Sequence, residues 1–246
     1  MSDKRFMRTQ MLLGQEGVNR LKQATVMVVG LGAVGGYALE ALARSGIGHL
    51  ILVDFDRFDE TNINRQILAL DSTIGKLKTE VAASRVRDIN PSCQVEIKNV
   101  FVDKGNLADI FANRPDFVVD AIDSLGAKCA LLEFLWREKI AFISSMGAAL
   151  KTNPADISLA TLDKTKNCAL ARKVRHQLKK QDVNLSDVPC VYSKEQSVLP
   201  QTAILAPQEE GEARNAMGSL PTITAIFGLT LANEVILKIS KTEFKA

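Results

Sequence analysis

The stretch "VMVVGLGAVGGYALEALARSGIGHLILVDFD" constrains this chain more than any other. An apolar run rich in β-branched residues meets Gly30, Gly32 and Gly35 in a GxGxxG spacing. A segment of helical period comes next, and then a second apolar run that ends on Asp54. A strand, a tight glycine turn and a helix in that order bring backbone amides to a helix N-terminus, where an anionic phosphate is stabilised. Asp54, at the end of the second strand, is placed to accept hydrogen bonds from ribose hydroxyls. The motif therefore predicts a nucleotide site, and by itself it does not separate NAD from ATP.

The rest of the first half repeats the alternation. Strands are expected at 25–29, 49–53, 95–100, 117–121 and 141–144, with helices near 34–44, 78–90, 107–112 and 127–138. That order predicts an α/β fold: a doubly wound, mostly parallel Rossmann-like sheet with helices on both faces. At 246 residues and 46% hydrophobic, the chain suits one domain spanning 1–246. After Gly147 the alternation degrades. Residues 151–215 hold a short strand candidate, "DISLATL", a basic helix candidate, "NCALARKVRHQLKKQ", then "SDVPCVYSKEQ" and a Glu-rich polar loop. This segment is expected to be a substrate-handling insertion, with 220–239 returning to the core as a buried or dimer-facing helix. That last stretch approaches membrane-spanning length but carries Asn233 and Glu234, which are costly in hydrocarbon.

A hydride-transfer enzyme would need a nicotinamide pocket after the second strand. The second strand leads instead into "DETNINRQILALDSTIGKLKTE", polar and cationic. Asn62, Arg65, Gln66 and Lys78 are suited to surround a triphosphate, the arginine and lysine offsetting charge that builds during phosphoryl or nucleotidyl transfer. "DFVVDAIDS" places Asp120 and Asp123 at the end of the fourth strand, on the same rim as the glycine loop. A carboxylate there can hold Mg²⁺ against phosphates. Asp123, nearer the rim, is the candidate, and Asp120 is expected to cap the next helix. An NAD-dependent oxidoreductase leaves Arg65, Lys78 and Asp123 unexplained; a non-catalytic nucleotide-binding regulator stays open.

The motifs "RFMR", "GLGAVGG", "DFD", "TNINRQ", "GKLK" and "DAID", in this order over residues 5–147, resemble the adenylating family of ubiquitin-activating-type enzymes. The resemblance implies ATP as ligand and attack of a carboxylate on its α-phosphate, giving an acyl-adenylate. It implies that Asp54 binds the ribose, that Asn62, Arg65 and Lys78 hold the phosphates, and that Asp123 holds Mg²⁺; Asp56 and Gln66 join the glycines among the residues expected to bind the cofactor. It further implies that Arg8 of "RFMR" reaches the ATP of a second subunit, hence a homodimer.

In the second half, "PADISLATLDKTKNCALARKVRHQLKK" and "PCVYSKEQ" resemble the tRNA threonylcarbamoyladenosine dehydratases. Those enzymes are implied to adenylate the threonyl carboxylate of the modified adenosine and to close the ring with loss of water. An activator of a ubiquitin-like sulfur-carrier tail is the alternative. Such activators hold two CxxC pairs for zinc, and Cys93, Cys129, Cys168 and Cys190 form none, so no structural zinc is expected. A sulfur-transfer protein is the other partner the resemblance raises. Yet "EARNAMGSLPTITAIFG" lacks the cysteine that some dehydratases carry before the last helix. Cys190 matches a dehydratase cysteine, with a buried structural thiol as the competing reading.

Between Lys164 and Lys180 the chain also carries Lys166, Arg172, Lys173, Arg175 and Lys179, with no acid after Asp163. Arg172, Arg175 and Lys179 fall on one helical face. With the resemblance, Arg172, Lys173, Arg175 and Lys179 are expected to hold tRNA phosphates, and Tyr192 or Phe101 to meet an unstacked base. The N-terminus lacks the apolar core of a signal peptide, which fits a cytoplasmic protein.

Overall fold

The computed structural model describes residues 4–196 and 217–241. In chain order its elements are α1 (Met7–Gln23), β1 (Thr25–Val29), α2 (Gly35–Ser45), β2 (His49–Val53), α3 (Lys78–Ile89), β3 (Gln94–Lys98), α4 (Leu107–Ile110), β4 (Phe117–Asp120), α5 (Leu125–Arg137), β5 (Phe142–Ser145), β6 (Ile157–Thr161), α6 (Ala169–Lys179), β7 (Pro189–Ser193) and α7 (Pro221–Ser240). The seven strands form one sheet in the order β3-β2-β1-β4-β5-β7-β6. All neighbours are parallel except β6 and β7.

The inner strands read as nearly continuous apolar runs because both faces of the sheet are covered. Side chains alternate between the faces: Val26, Val28, Leu50, Leu52 and Val119 pack under α2, α3 and α7. Met27, Val29, Ile51, Val53 and Val118 pack under α5 and α6. The chain reverses its winding at β1, which lies between β2 and β4. Such a switch point leaves a crevice at the carboxyl ends of the strands.

The expected strands at 25–29 and 49–53 coincide with β1 and β2; the others shift at their ends. Two elements differ from expectation. The helix α1 carries a break at Gly14 (φ 73, ψ 168) and a largely polar sequence, which hides it from periodicity. It is held from outside: Leu13, Val18 and Leu21 are buried, and the Arg20 guanidinium donates to the Ser240 carbonyl (2.8 Å from Nε) at the end of α7. The second is β7. The stretch 151–196, read as the front of an insertion, extends the sheet: β7 pairs with β5, β6 pairs with β7, and α6 packs on α5. Its short strands alternate poorly because β7 is buried on both faces between two neighbours. The Glu-rich loop and most of "EARNAMG" lie outside the described residues.

By length and composition α7 could cross a membrane. Here Ile223, Phe227, Leu231 and Val235 give it a buried face against the core. Its crossing with α2 depends on Gly228: a Cβ there would sit 2.3 Å from the Val34 carbonyl oxygen and 2.8 Å from the Tyr37 Cβ.

The four cysteines are free and buried. Burial pushes the Cys93 and Cys129 thiols up to about 11 and the Cys190 thiol up to about 12. Cys190 is wholly enclosed on β7, the setting of a structural thiol rather than of a nucleophile.

Gly228→Ala should lower stability by about 1–3 kcal/mol in denaturant unfolding, because the backbones must separate to admit the methyl group. The thiols also set an alkaline limit. Unfolded thiols ionise near 9, whereas the folded ones keep their protons until about 11 to 12. The unfolded chain therefore binds fewer protons in that window, and the thermal midpoint should fall as pH rises above about 9.

Candidate active site

A cavity of about 470 Å³ opens at the carboxyl ends of β1, β2, β4 and β5, at the switch point. Its floor begins with Gly30 (φ 90), which follows β1 directly. A Cβ on Gly30 would lie 2.8 Å from the Ala121 carbonyl oxygen, so the glycine turn rests on the backbone after β4. Gly30 and Gly32 line the cavity. Gly35 does not; it opens α2, where a side chain would strike the Gly30 carbonyl.

Asp54 is buried at the end of β2 and lines the cavity. Its two oxygens accept the Leu31 amide (2.6 Å) and the Asp56 amide (2.8 Å). Burial raises its carboxyl above the ordinary value, against the pull of those amides and Lys78. One lone pair of each oxygen remains for a ligand hydroxyl. Asp56 also lines the cavity, where it pairs with the buried Lys78 ammonium at 3.1 Å.

Arg65 and Gln66 come from the turn after β2. Nη1 of Arg65 donates to the Thr61 carbonyl (2.7 Å) and to Asn64 Oδ1 (2.8 Å), and the side chain reaches the cavity wall. Gln66 is buried, lines the cavity and leaves Oε1 without a hydrogen-bond partner. A buried orphan acceptor beside an opening is a place for a ligand donor. Asn62 lies apart: it is outside the lining, and it closes a turn in which the Asp59 side chain accepts the Thr61 amide (2.8 Å). Asp123 is exposed on the rim and lines the cavity. Asp120 does not cap α5, whose N-cap is Ser124 without a side-chain bond; it is buried and pairs with Lys128. Arg8 is exposed on α1, away from this cavity.

The opposite wall was not foreseen. Ser145, which ends β5, and Met146 to Ala149 after it line the cavity with Leu170 from the first turn of α6 and Thr224 from α7. Small and apolar residues carry no motif. The usable signal was position, since "SSMGAAL" begins at the end of a central strand. Phe55 and Phe101 form an edge-to-face pair on the rim, centroids 4.9 Å apart, and both are exposed. Tyr192 is buried on β7 and presents no face for stacking.

Along α6, Arg172, Lys173 and Lys179 are exposed. Arg175 is not a free cation: its guanidinium turns inward and donates to the Thr165 carbonyl (3.0 Å) and hydroxyl. The apolar face of the helix, Ala171, Val174 and Leu178, draws Arg175 toward the core. Among the described residues no three His, Cys, Asp or Glu side chains converge as metal ligands.

The ThiF family model matches residues 5–246. A tRNA threonylcarbamoyladenosine dehydratase of Haemophilus influenzae is 40% identical over 247 residues, covering 97% of this chain and 94% of the relative. The Bacillus subtilis dehydratase is 35% identical, covering 96% and 94%. By contrast, the molybdopterin-synthase adenylyltransferase of Escherichia coli is 35% identical over 55% of this chain. Crystal structures of the Escherichia coli tRNA N6-threonylcarbamoyladenosine dehydratase with AMP and with ATP superpose at a TM-score of 0.88 and 36% identity, over 97% of this chain and 94% of that one. A nucleotide cavity at the switch point of a doubly wound sheet, with similarity along nearly the full length of both partners, places this chain in the ThiF family.

Proposed function

We propose that this protein uses ATP to dehydrate the threonylcarbamoyladenosine of tRNA to its cyclic form. One observation carries the reading: the cavity at the glycine turn has Leu170, from the first turn of the cationic helix α6, in its opposite wall. Full-length similarity to named dehydratases supports it, while the adenylyltransferase match stops near half the chain.

The residues divide the work. Asp54 takes the ribose hydroxyls with its free lone pairs, and the glycine turn admits the phosphates to backbone amides. Arg65 and Lys78 stabilise charge on the phosphates. Three carboxylates (Asp54, Asp56, Asp123) line the cavity against two cations (Arg65, Lys78). A triphosphate in such a site needs further positive charge, and Asp123 on the rim suits Mg²⁺, which binds through one or two carboxylates plus phosphate oxygens. The metal would neutralise charge on the leaving pyrophosphate. Threonyl carboxylate attack forms an O–P bond and breaks the bridge between the α- and β-phosphates. The tethered carbamoyl nucleophile then attacks the activated carbonyl, AMP departs and a proton passes to solvent. No protein nucleophile is required, consistent with the enclosed Cys190.

Arg172, Lys173 and Lys179 hold the tRNA backbone beside the cavity, and the substrate puts the enzyme in the cytoplasm. A homodimer supplies the missing cation through the partner's Arg8. Met7, Met11 and Leu12, exposed on the same helix, fit a contact surface.

Mass spectrometry of nucleosides from threonylcarbamoylated tRNA, incubated with protein, Mg²⁺ and ATP, should show loss of one water, and Asp123→Ala should slow it about 100-fold or more. Replacing Arg172, Lys173 and Lys179 by Ala should weaken tRNA binding and lower the slope of log K against log salt by about 2, with ATP binding kept. Arg175→Ala should instead cost stability, about 1 kcal/mol, for the lost bonds to Thr165. Arg8→Ala and Asp123→Ala proteins, each inactive, should regain about a quarter of native activity after subunit exchange, because half of the dimers then hold one intact site.

A further inference from the structure

Beneath the cavity lies an ionic group that the proposed reaction does not use. Lys128 on α5, Asp120 at the end of β4 and Ser144 at the end of β5 are each fully buried. The Lys128 ammonium donates to Asp120 Oδ2 (2.5 Å) and to Ser144 Oγ (3.2 Å), and the Ser144 hydroxyl donates to the same Asp120 oxygen (2.6 Å). Taking two charges out of water is costly and their attraction only offsets it, so such a pair is weak evidence of stability for its own sake. Its other contact is informative. Asp120 Oδ1 accepts the backbone amide of Ile122 at 3.0 Å.

That amide sits at the junction of two parts of the site. The Ala121–Ile122 peptide is the surface on which the glycine turn rests: a Cβ on Gly30 would meet Ala121 O at 2.8 Å and Ile122 N at 3.2 Å. The next residue is Asp123. Ala121, Ile122 and Asp123 all line the cavity.

We propose that Lys128, Asp120 and Ser144 form a positioning group for nucleotide binding, in which the lysine and the hydroxyl fix one oxygen of Asp120 so that the other holds the Ile122 amide. This bond sets at once the height of the glycine turn and the direction of Asp123. An uncharged group of the same outline at position 120 serves, provided it still offers an acceptor to Ile122. The inference rests on the cavity being the ATP site.

Two paired variants separate this role from structural support. Both remove the buried charges together, which avoids stranding one of them. Asp120→Asn with Lys128→Met keeps an acceptor for Ile122; Asp120→Leu with Lys128→Met has a similar branched outline and no acceptor. ATP affinity is measured by calorimetry and folding by thermal unfolding. The leucine pair should bind ATP at least about tenfold more weakly than the asparagine pair, while both unfold cooperatively. Equal ATP affinity in both folded variants would overturn the inference, as would equal losses. Hydrogen exchange on the native, nucleotide-free protein needs no variant: the Ile122 amide should be protected like the sheet amides, and exchange at the rate of an open loop overturns the proposal even if the leucine pair does not fold. Failure of the native protein to bind ATP would instead sink the nucleotide reading, and this inference with it.

Discussion

The carboxylate of Asp54 is the constraint around which the site is assembled. Bound to the amides of Leu31 and Asp56, it ties the glycine turn after β1 to the end of β2. The Gly30 amide already donates to the Val53 carbonyl (2.8 Å) where the strands end, and Asp54 carries that link into the two turns. Asp56, aimed by the same bond, in turn holds the Lys78 ammonium at the start of α3. A single buried acid therefore sets three elements, and hydrogen bonds that the ligand does not have to supply offset part of its desolvation cost.

The other side of the crevice is built differently. Backbone and small side chains after β5 form the wall, and α6 closes it with Leu170 while facing Arg172 and Lys173 to solvent one turn further on. A helix of eleven residues thus belongs to the core through Ala171, Val174 and Leu178, to the cavity through its first turn, and to the solvent through its cations. This arrangement favours a substrate that is both small at the reacting end and polyanionic beyond it. The strands β6 and β7, which precede and follow the helix in the chain, both belong to the sheet and so tie its segment to the core at each end.

Legibility varied with the kind of signal. Gly30, Asp54 and the strands β1 and β2 were readable because a glycine turn between two apolar runs has few structural solutions. Arg65, Gln66, Lys78 and Asp123 were readable as a group and do reach one cavity. Asn62 was read with them from its motif, yet its turn keeps it outside the lining. Periodicity placed Arg175 on the cationic face, but a threefold to fourfold spacing cannot tell solvent from the carbonyl of Thr165. Tyr192 and Cys190 were ambiguous for the same reason: their availability depends on the strands that flank β7.

By itself the sequence determined the winding of the sheet, the nucleotide edge and the side-chain types available there, because hydrophobic period and glycine spacing act over a few residues. Tertiary structure alone decided what those side chains face. Asp120 acquired a lysine from the next helix and a serine from the next strand, α1 acquired its stability from α7, and the residues after Gly147 became part of the sheet. Each of these depends on contacts between segments distant in the chain, where burial and the need to pair every enclosed polar group select the partner.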